Sequence, residues 1–197
     1  MKNYKKNLDL LIKNHVYSKE MEHDACGVGL IASTEGKKSR AVVEYGIEAL
    51  KAVWHRGAVD ADGKTGDGAG IHVEIPKDFF IEKIEVTGHD YDNSEICVGM
   101  IFLPRNDYSS QENCKTIVES ELTKNNFSIY GWRQVPVNPK VLGEKALQTM
   151  PEIIQVLFKS NDPNLLDKNL ERKIYETRKI IENNAFNASL NNFYICS

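Results

Sequence analysis

The feature that most constrains the fold is a set of apolar, β-rich runs separated by helices of 3.6-residue period. The runs lie at residues 94–104 (SEICVGMIFLP), 127–137 (FSIYGWRQVPV) and 152–160 (EIIQVLFKS), and a fourth begins at FYICS, residues 193–197. Such runs predict strands. Because the order of the elements is not a clean βαβ alternation, the pattern predicts an α+β fold with helices and strands in layers.

Two helices are predicted in this part of the chain, over residues 109–125 and 164–183. Each has apolar residues at helical spacing, which predicts one face packed on a core. The predicted inward residues are Cys114, Ile117, Val118 and Leu122 in the first helix, and Leu166, Leu170, Ile174, Thr177 and Ile181 in the second.

The first half of the chain predicts two further strands and one helix. Residues 26–33 (CGVGLIAS) contain two glycines that allow close backbone approach, and residues 71–76 (IHVEIP) alternate as a half-buried strand does. Between them, Ser39 has the side chain of a helix N-cap, and the helix pattern stops at Gly57. The apolar face of this helix is predicted to be Val43, Ile47, Leu50 and Trp54.

Composition excludes several classes of protein. Of 197 residues, 41% are hydrophobic, which is enough for one sizeable globular domain. The 25 basic and 28 acidic residues form no basic block, so nucleic-acid binding has no electrostatic support. No apolar run reaches the length of a membrane span, and the N-terminus lacks the apolar region of a secretory signal. We therefore expect no membrane or nucleic-acid partner and a cytoplasmic protein.

The four cysteines differ in their surroundings. They are Cys26, Cys97, Cys114 and Cys196, without a CxxC pair or a His-rich cluster, so we expect no metal site in this chain. Cys97 and Cys196 lie in apolar runs and Cys114 on a helix face, as small core residues do. Cys26 is different, because a polar leader precedes it and a predicted strand follows it in EHDACGVGLIAS.

The loop at residues 57–70 (GAVDADGKTGDGAG) contains parts of three ligand-binding motifs, none of them complete. For a P-loop, the interval between Gly57 and the Gly-Lys pair is one residue too long. A calcium-binding EF-hand loop would need Gly in place of Thr65 and Glu in place of Ile71. GDGAG leading into a strand has the wrong element order for a dinucleotide fingerprint. A tight glycine turn is the better interpretation.

Cys26 has two possible chemical roles besides a structural one. A thiol with an ordinary pKa near 8.5 needs a base to attack at neutral pH. None of the five histidines is assigned to it by spacing, although a Cys–His pair stays open. Alternatively, an N-terminal cysteine uses its own α-amine, of pKa about 7.7–8.0, as the base. That role requires removal of residues 1–25. A partly buried structural cysteine is the third alternative.

Three blocks together resemble one family. EHDACGVGLIAS, WHRG and TGDGAGIHVEIP, in this order and spacing, are similar to the start of the glutamate synthase large subunit, with weaker likeness through FYICS. That subunit begins with a class II glutamine amidotransferase domain, an N-terminal-nucleophile hydrolase. The resemblance implies a four-layer αββα sandwich, incomplete in this chain. It also implies a propeptide over residues 1–25 and an amidotransferase domain from residue 26 to 197 that continues beyond the chain end.

The resemblance implies a reaction as well. The Cys26 thiolate would attack the side-chain amide of L-glutamine and release ammonia, which a downstream synthase domain adds to 2-oxoglutarate to make glutamate. FMN and an iron–sulfur cluster are implied for the full-length enzyme and no cofactor for this chain, and a small NADPH-oxidising subunit is a candidate partner. Residues implied to form the substrate-pocket wall, or to support it structurally, are His55, Arg56, Gly57 and Asp67.

Two family elements are missing from the sequence. An Asn-Gly pair for the oxyanion hole and an Arg-x-Ser-Thr segment for the glutamine backbone are both absent, and both would lie beyond residue 197. Since loss of one oxyanion donor costs about 10²–10³ in rate, the isolated chain is expected to be nearly inactive. Two other hypotheses stay open: a stand-alone class II amidotransferase, against which the 25-residue leader counts, and a non-catalytic module that retains the fold.

Overall fold

The computed structural model describes residues 6, 10, 12–13, 27–54, 57–66 and 68–196. The chain divides into two compact units. The first comprises residues 1–58 and 67–71, and the second residues 59–66 and 72–197.

The first unit contains helix α1, Arg40–Ala52. Its N-cap is Ser39, as predicted, and the Ser39 hydroxyl accepts a hydrogen bond from the Ala41 N–H at 3.2 Å. The predicted extension to Gly57 is wrong, because the helix is capped at Val53. Val43, Ile47 and Leu50 are half-buried, but Trp54 follows the helix and is 74% exposed, so its predicted inward position is wrong.

The two strands predicted in the first half of the chain are not formed. Residues 27–33 and 71–76 are described without strand structure. Val28 and Leu30 are 92% and 89% exposed. A strand depends on hydrogen bonds to a neighbouring strand, and neither segment belongs to the sheet that the structure describes. Alternation along the sequence therefore indicated an extended, apolar segment but not its pairing.

The second unit is built on one antiparallel sheet of four strands: β1 Cys97–Leu103, β2 Phe127–Gln134, β3 Glu152–Ser160 and β4 Tyr194–Cys196. Their spatial order is β2-β3-β1-β4. All four runs predicted as strands are confirmed. The central pair β1 and β3 runs from Cys97 opposite Phe158 to Leu103 opposite Glu152. A β-bulge between Ile129 and Gly131 interrupts the pairing of β2 with β3.

Two long helices cover one face of this sheet. They are α3, Tyr108–Lys124, and α5, Asp167–Asn187. All four predicted inward residues of α3 and four of the five in α5 are buried or packed on the core, as the 3.6-residue period predicts. Leu166 is the exception: it is the N-cap of α5 and is 51% exposed.

The opposite face is covered in part by helix α2, Lys77–Val86, which the sequence patterns above did not predict. Phe80 and Ile84 of α2 form a second core cluster with Tyr130, Leu157 and Ile96. After the helix, the Thr87 hydroxyl oxygen lies 2.8 Å from the Tyr130 carbonyl oxygen, which fastens α2 to β2. A short helix, α4, spans Glu144–Thr149.

The second unit is thus a mixed α/β structure with one described sheet, covered by α3 and α5 on one face and in part by α2 on the other. This agrees with the predicted α+β class. In the part of the chain described, none of the helices is both long and apolar enough to cross a membrane.

Candidate functional site

Most of the predicted site lies outside the described residues. This holds for Cys26, His55, Arg56 and Asp67, whose roles stay predictions. Of the predicted set, the structure describes Gly57. The Gly57 N–H donates a hydrogen bond to the Trp54 carbonyl oxygen at 2.9 Å.

The segment that leads to Asp67, residues 59–66, is named here the 59–66 loop. It is a closed hairpin-like turn. Val59 and Gly66 pair as an antiparallel bridge, and the Asp60 N–H donates to the Thr65 carbonyl at 2.7 Å. At its tip the Gly63 N–H donates to the Asp60 carbonyl at 2.9 Å, with Gly63 at a φ of +69°, which favours glycine.

The Asp62 carboxylate holds this loop together from inside. Its Oδ1 accepts from the N–H groups of Lys64 at 2.9 Å and Thr65 at 2.7 Å, and its Oδ2 accepts from the Thr65 hydroxyl at 2.5 Å. The backbone of Glu144, the first residue of α4, also lowers the pKa of this carboxylate. The Thr65 hydroxyl, followed by these N–H groups, holds the pKa of Asp62 well below its usual range, so Asp62 is an anion at neutral pH.

The 59–66 loop is joined to α4 by further contacts. The Ala146 N–H donates to the Thr65 Oγ1 at 3.5 Å, and Lys145 Nζ lies 2.6 Å from Asp60 Oδ2. Gly143 precedes α4, and a Cβ atom there would collide with the side chains of Thr65 and Asp62. The close approach of the loop therefore requires glycine at position 143.

The thiols that the structure describes are unsuited to nucleophilic attack. Burial raises the pKa of Cys97 to about 12 and that of Cys114 to about 11, and it also raises the pKa of the half-buried Cys196. Since the thiolate is the reactive form, these residues are inert at neutral pH. Cys26, outside the described residues, remains the candidate nucleophile.

A polar cavity of about 190 Å³ lies elsewhere in the second unit. It is lined by Pro104, Asp107, Ser110, Cys114 and residues 189–193. Asp107 there is occupied as the N-cap of α3, accepting from the Ser110 N–H and hydroxyl. Among the described residues, no group of three or more His, Cys, Asp or Glu side chains is placed to hold a metal ion.

The sequence patterns did not single out Asp62 or Gly143. Asp62 lies in a stretch considered as part of an EF-hand, but its carboxylate accepts hydrogen bonds from within the 59–66 loop. The Asp-x-x-Thr spacing is the local signal that could have identified the turn, because Asp side chains accept from N–H groups two or three residues ahead. Gly143 is 81 positions from Asp62, and no local pattern links the two.

Comparison with known proteins places the sequence in context. Residues 26–197 match the family model described as class II glutamine amidotransferases. The chain is 50% identical over 194 residues to the glutamate synthase [NADPH] large chain of Azospirillum brasilense, covering 98% of this chain and 13% of the relative.

Two other relatives are eukaryotic. The chain is 41% identical over 162 residues to ferredoxin-dependent glutamate synthase 1 of Arabidopsis thaliana, covering 82% of this chain and 10% of that protein. It is 35% identical over 196 residues to glutamate synthase [NADH] of Saccharomyces cerevisiae, covering 94% of this chain and 9% of that protein. The chain therefore spans only about an eighth or less of the length of these relatives.

Proposed function

Because the chain belongs to the class II glutamine amidotransferases, we propose that it is the glutamine-hydrolysing part of a glutamate synthase. The observation that carries this proposal is 50% identity to a glutamate synthase large chain over 98% of the sequence, with the Cys26 block intact. The family match also begins at residue 26, the position proposed for the nucleophile.

In the proposed reaction, Cys26 supplies both the base and the nucleophile. After removal of residues 1–25, its α-amine, of pKa about 7.7–8.0, accepts the thiol proton. The sulfur then attacks the side-chain amide carbon of glutamine, and the C–N bond breaks as the amine returns the proton to the leaving ammonia. Water hydrolyses the resulting thioester to glutamate and regenerates the thiol.

The pocket wall is proposed to come from two short segments of the chain. His55, Arg56 and Gly57 follow α1, and Asp67 follows the 59–66 loop. The resemblance of the WHRG and TGDGAG blocks to the family supports this proposal.

The whole enzyme is proposed to pass the ammonia to a synthase domain that acts on 2-oxoglutarate. FMN and an iron–sulfur cluster would supply the electrons there, with a small NADPH-oxidising subunit as a further candidate partner. The residues described here do not fit the cluster, since Cys97 and Cys114 are buried core residues. We therefore assign both cofactors to parts of the enzyme outside this chain. The free cysteines fit a reducing compartment, and we propose the cytoplasm.

We also propose that the observed sheet is one of the two sheets of a four-layer αββα sandwich. Support comes from the part of its second face that lies away from α2, which packs on Tyr130 and Leu157. Further along that face, Phe102 is half-buried and Tyr194 is 62% exposed. A second sheet would cover this remaining apolar surface.

The test is Cys26→Ala in the full-length protein that carries this chain. We expect glutamine-dependent glutamate formation to fall by roughly 10³-fold or more, because the nucleophile is removed. Ammonia-dependent formation should be unchanged, since it bypasses the step. Cys196→Ala, which removes a half-buried thiol, is the matched control and should retain both activities. Survival of glutamine-dependent turnover in Cys26→Ala would refute the assignment.

A labelling experiment separates the alternatives. The mature protein is treated with an electrophile that mimics glutamine and is then mapped by mass spectrometry. Modification of Cys26 supports hydrolysis, whereas folded mature protein without modification supports a non-catalytic module. Glutamine hydrolysis by this polypeptide without any attached synthase domain would support a stand-alone amidotransferase.

A further inference from the structure

We propose that Lys83 and Arg133 form a binding site for a small organic carboxylate against the ring of Phe79, where helix α2 lies on strand β2. All three residues belong to the second unit, and none is part of the predicted glutamine site. The inference therefore goes beyond the proposed function and does not depend on it.

The guanidinium of Arg133 is held in place, but its charge is not balanced. Arg133 lies opposite Gln155 in the pairing of β2 with β3, and its Nη1 donates to the Gln155 Oε1 at 2.7 Å. Gln155 is buried and neutral, so it orients the guanidinium without neutralising it. Among the residues that the structure describes, no carboxylate lies within 4.0 Å of Arg133. Since a guanidinium has five N–H donors, most of them remain available to a ligand.

Lys83 has only a weak acidic partner in the described part of the chain. Its Nζ lies 4.0 Å from Glu82 Oε2, at the limit of an ion pair, and the Glu82 side chain is exposed. Adjacent residues of a helix do not face each other, and exposed ion pairs contribute little. The charge of Lys83 is therefore also available to a ligand.

The ring of Phe79 brings these two cations together. Lys83 Nζ and Arg133 Cζ each lie 5.1 Å from the centre of the ring, which is the range of a cation–π contact. The two charges are therefore separated by no more than twice that distance. Like charges so close repel each other, and an anion that contacts both offsets the repulsion.

The shapes of the groups favour a carboxylate over other anions. A guanidinium presents a planar fork that matches the two oxygens of a carboxylate, and an ammonium contacts an oxygen as a point charge. Inorganic phosphate also fits the fork, but it has no apolar carbon. The Phe79 ring is exposed beside the two cations and offers apolar surface to the carbon next to a carboxylate. The site therefore fits a small organic carboxylate best.

The experiment measures how fast Arg133 and Lys83 are chemically modified in the full-length protein that carries this chain. Phenylglyoxal modifies arginine and an N-hydroxysuccinimide acetate modifies lysine, and mass spectrometry follows each peptide with and without sodium malonate. Sodium chloride keeps the ionic strength constant. We expect about 20 mM malonate to slow both reactions about fivefold, which corresponds to a dissociation constant of about 5 mM. Malonamide, the uncharged analogue, should not protect either residue.

Arg172 is the internal control for protection by malonate. Its side chain is exposed and already pairs with Glu176, so its modification should slow by less than about 1.5-fold.

A charge-removing variant tests whether both cations hold the same ligand. In Lys83→Gln, protection of Arg133 by malonate should fall below about twofold. In Arg133→Gln, protection of Lys83 should fall in the same way. Lys115→Gln is the matched control, because its side chain is 30% exposed against 34% for Lys83 and it pairs with Glu112 on another helix. That variant should keep the protection of wild type.

Four results would overturn the inference. Equal protection of Arg172 would mean that malonate acts without a site, and no protection of Arg133 would mean that it does not bind there. Full protection of Arg133 in Lys83→Gln would mean that the two cations do not share a ligand. Failure of Arg133 to react while Arg172 does would mean that another part of the whole protein covers the guanidinium. If Lys83→Gln fails to fold, Arg133→Gln read at Lys83 decides the question of a shared ligand.

Discussion

Gly99 and Val156 offer a quantitative test of how the sheet is packed. They lie opposite each other on the central strands β1 and β3, and both are buried. A Cβ added at Gly99 would be 2.8 Å from Val156 Cγ1, whereas carbon atoms in contact lie about 3.5–4.0 Å apart. Since β1 is paired on both sides, its backbone cannot retreat easily. Gly99→Ala should therefore cost about 1–3 kcal/mol of unfolding free energy through overpacking.

The complementary change is Val156→Ala. It removes two buried methyl groups, worth about 1.6 kcal/mol by transfer, and the cavity left behind raises the loss to about 2–3 kcal/mol. In the double variant, the methyl group introduced at position 99 would fill part of that cavity, and the clash would be gone. We therefore expect the double variant to be about 1–2 kcal/mol more stable than the sum of the single changes predicts.

The assay is equilibrium urea unfolding, followed by the fluorescence of Trp132, which packs on the same core cluster. Gly46→Ala in α1 is the control, because nothing lies within 4 Å of a Cβ there. It should be neutral or stabilising by up to about 1 kcal/mol, since alanine favours helix. Strict additivity of the two core changes, within about 0.5 kcal/mol, would refute the packing argument.

Two other predictions concern ionisable groups. Burial raises the pKa of Cys114 to about 11 from an ordinary value of about 8.5, so Cys114 should react with iodoacetamide at pH 8 at least roughly 100-fold more slowly in the folded than in the urea-unfolded protein. Cys97 should react more slowly still, and equal rates by mass spectrometry would contradict the buried positions of both thiols. The pKa of Asp92 is held well below its usual range, chiefly by Lys159, so Asp92 stabilises the fold above its unfolded pKa of about 3.9 and loses that effect as pH falls through its folded value. Asp92→Asn should therefore flatten the acid side of the stability–pH curve measured by thermal unfolding, and an unchanged slope would exclude this contribution.

Periodic patterns predicted the packing of the second unit because its elements are long. Cys114 and Val118 lie one helical turn apart on α3, and both are fully buried as predicted. The segments 27–33 and 71–76 failed for a physical reason, since alternation shows which side chains share a face but not whether a neighbouring strand exists. Helix α2 was missed because, at 10 residues, it is short enough for its sequence to be mistaken for a loop between two strands.

The candidate site residues were predicted only from sequence motifs. The TGDGAG block indicated Asp67 through resemblance to a family, and Asp67 lies outside the described residues and stays a prediction. The contact between the 59–66 loop and Gly143 was not predicted, because a contact between distant positions leaves no periodic signal in one sequence. Sheet order and the bulge in β2 are long-range properties of the same kind.

The bulge between Ile129 and Gly131 has a consequence for the behaviour of partly unfolded molecules. β2 is an outer strand of the described sheet, so its free side could recruit an extended segment from another copy. Such recruitment needs evenly spaced donors and acceptors, and the extra residue interrupts them midway along the strand. Polymerisation through the free edge of β2 is therefore disfavoured, which should help the protein to refold at high concentration.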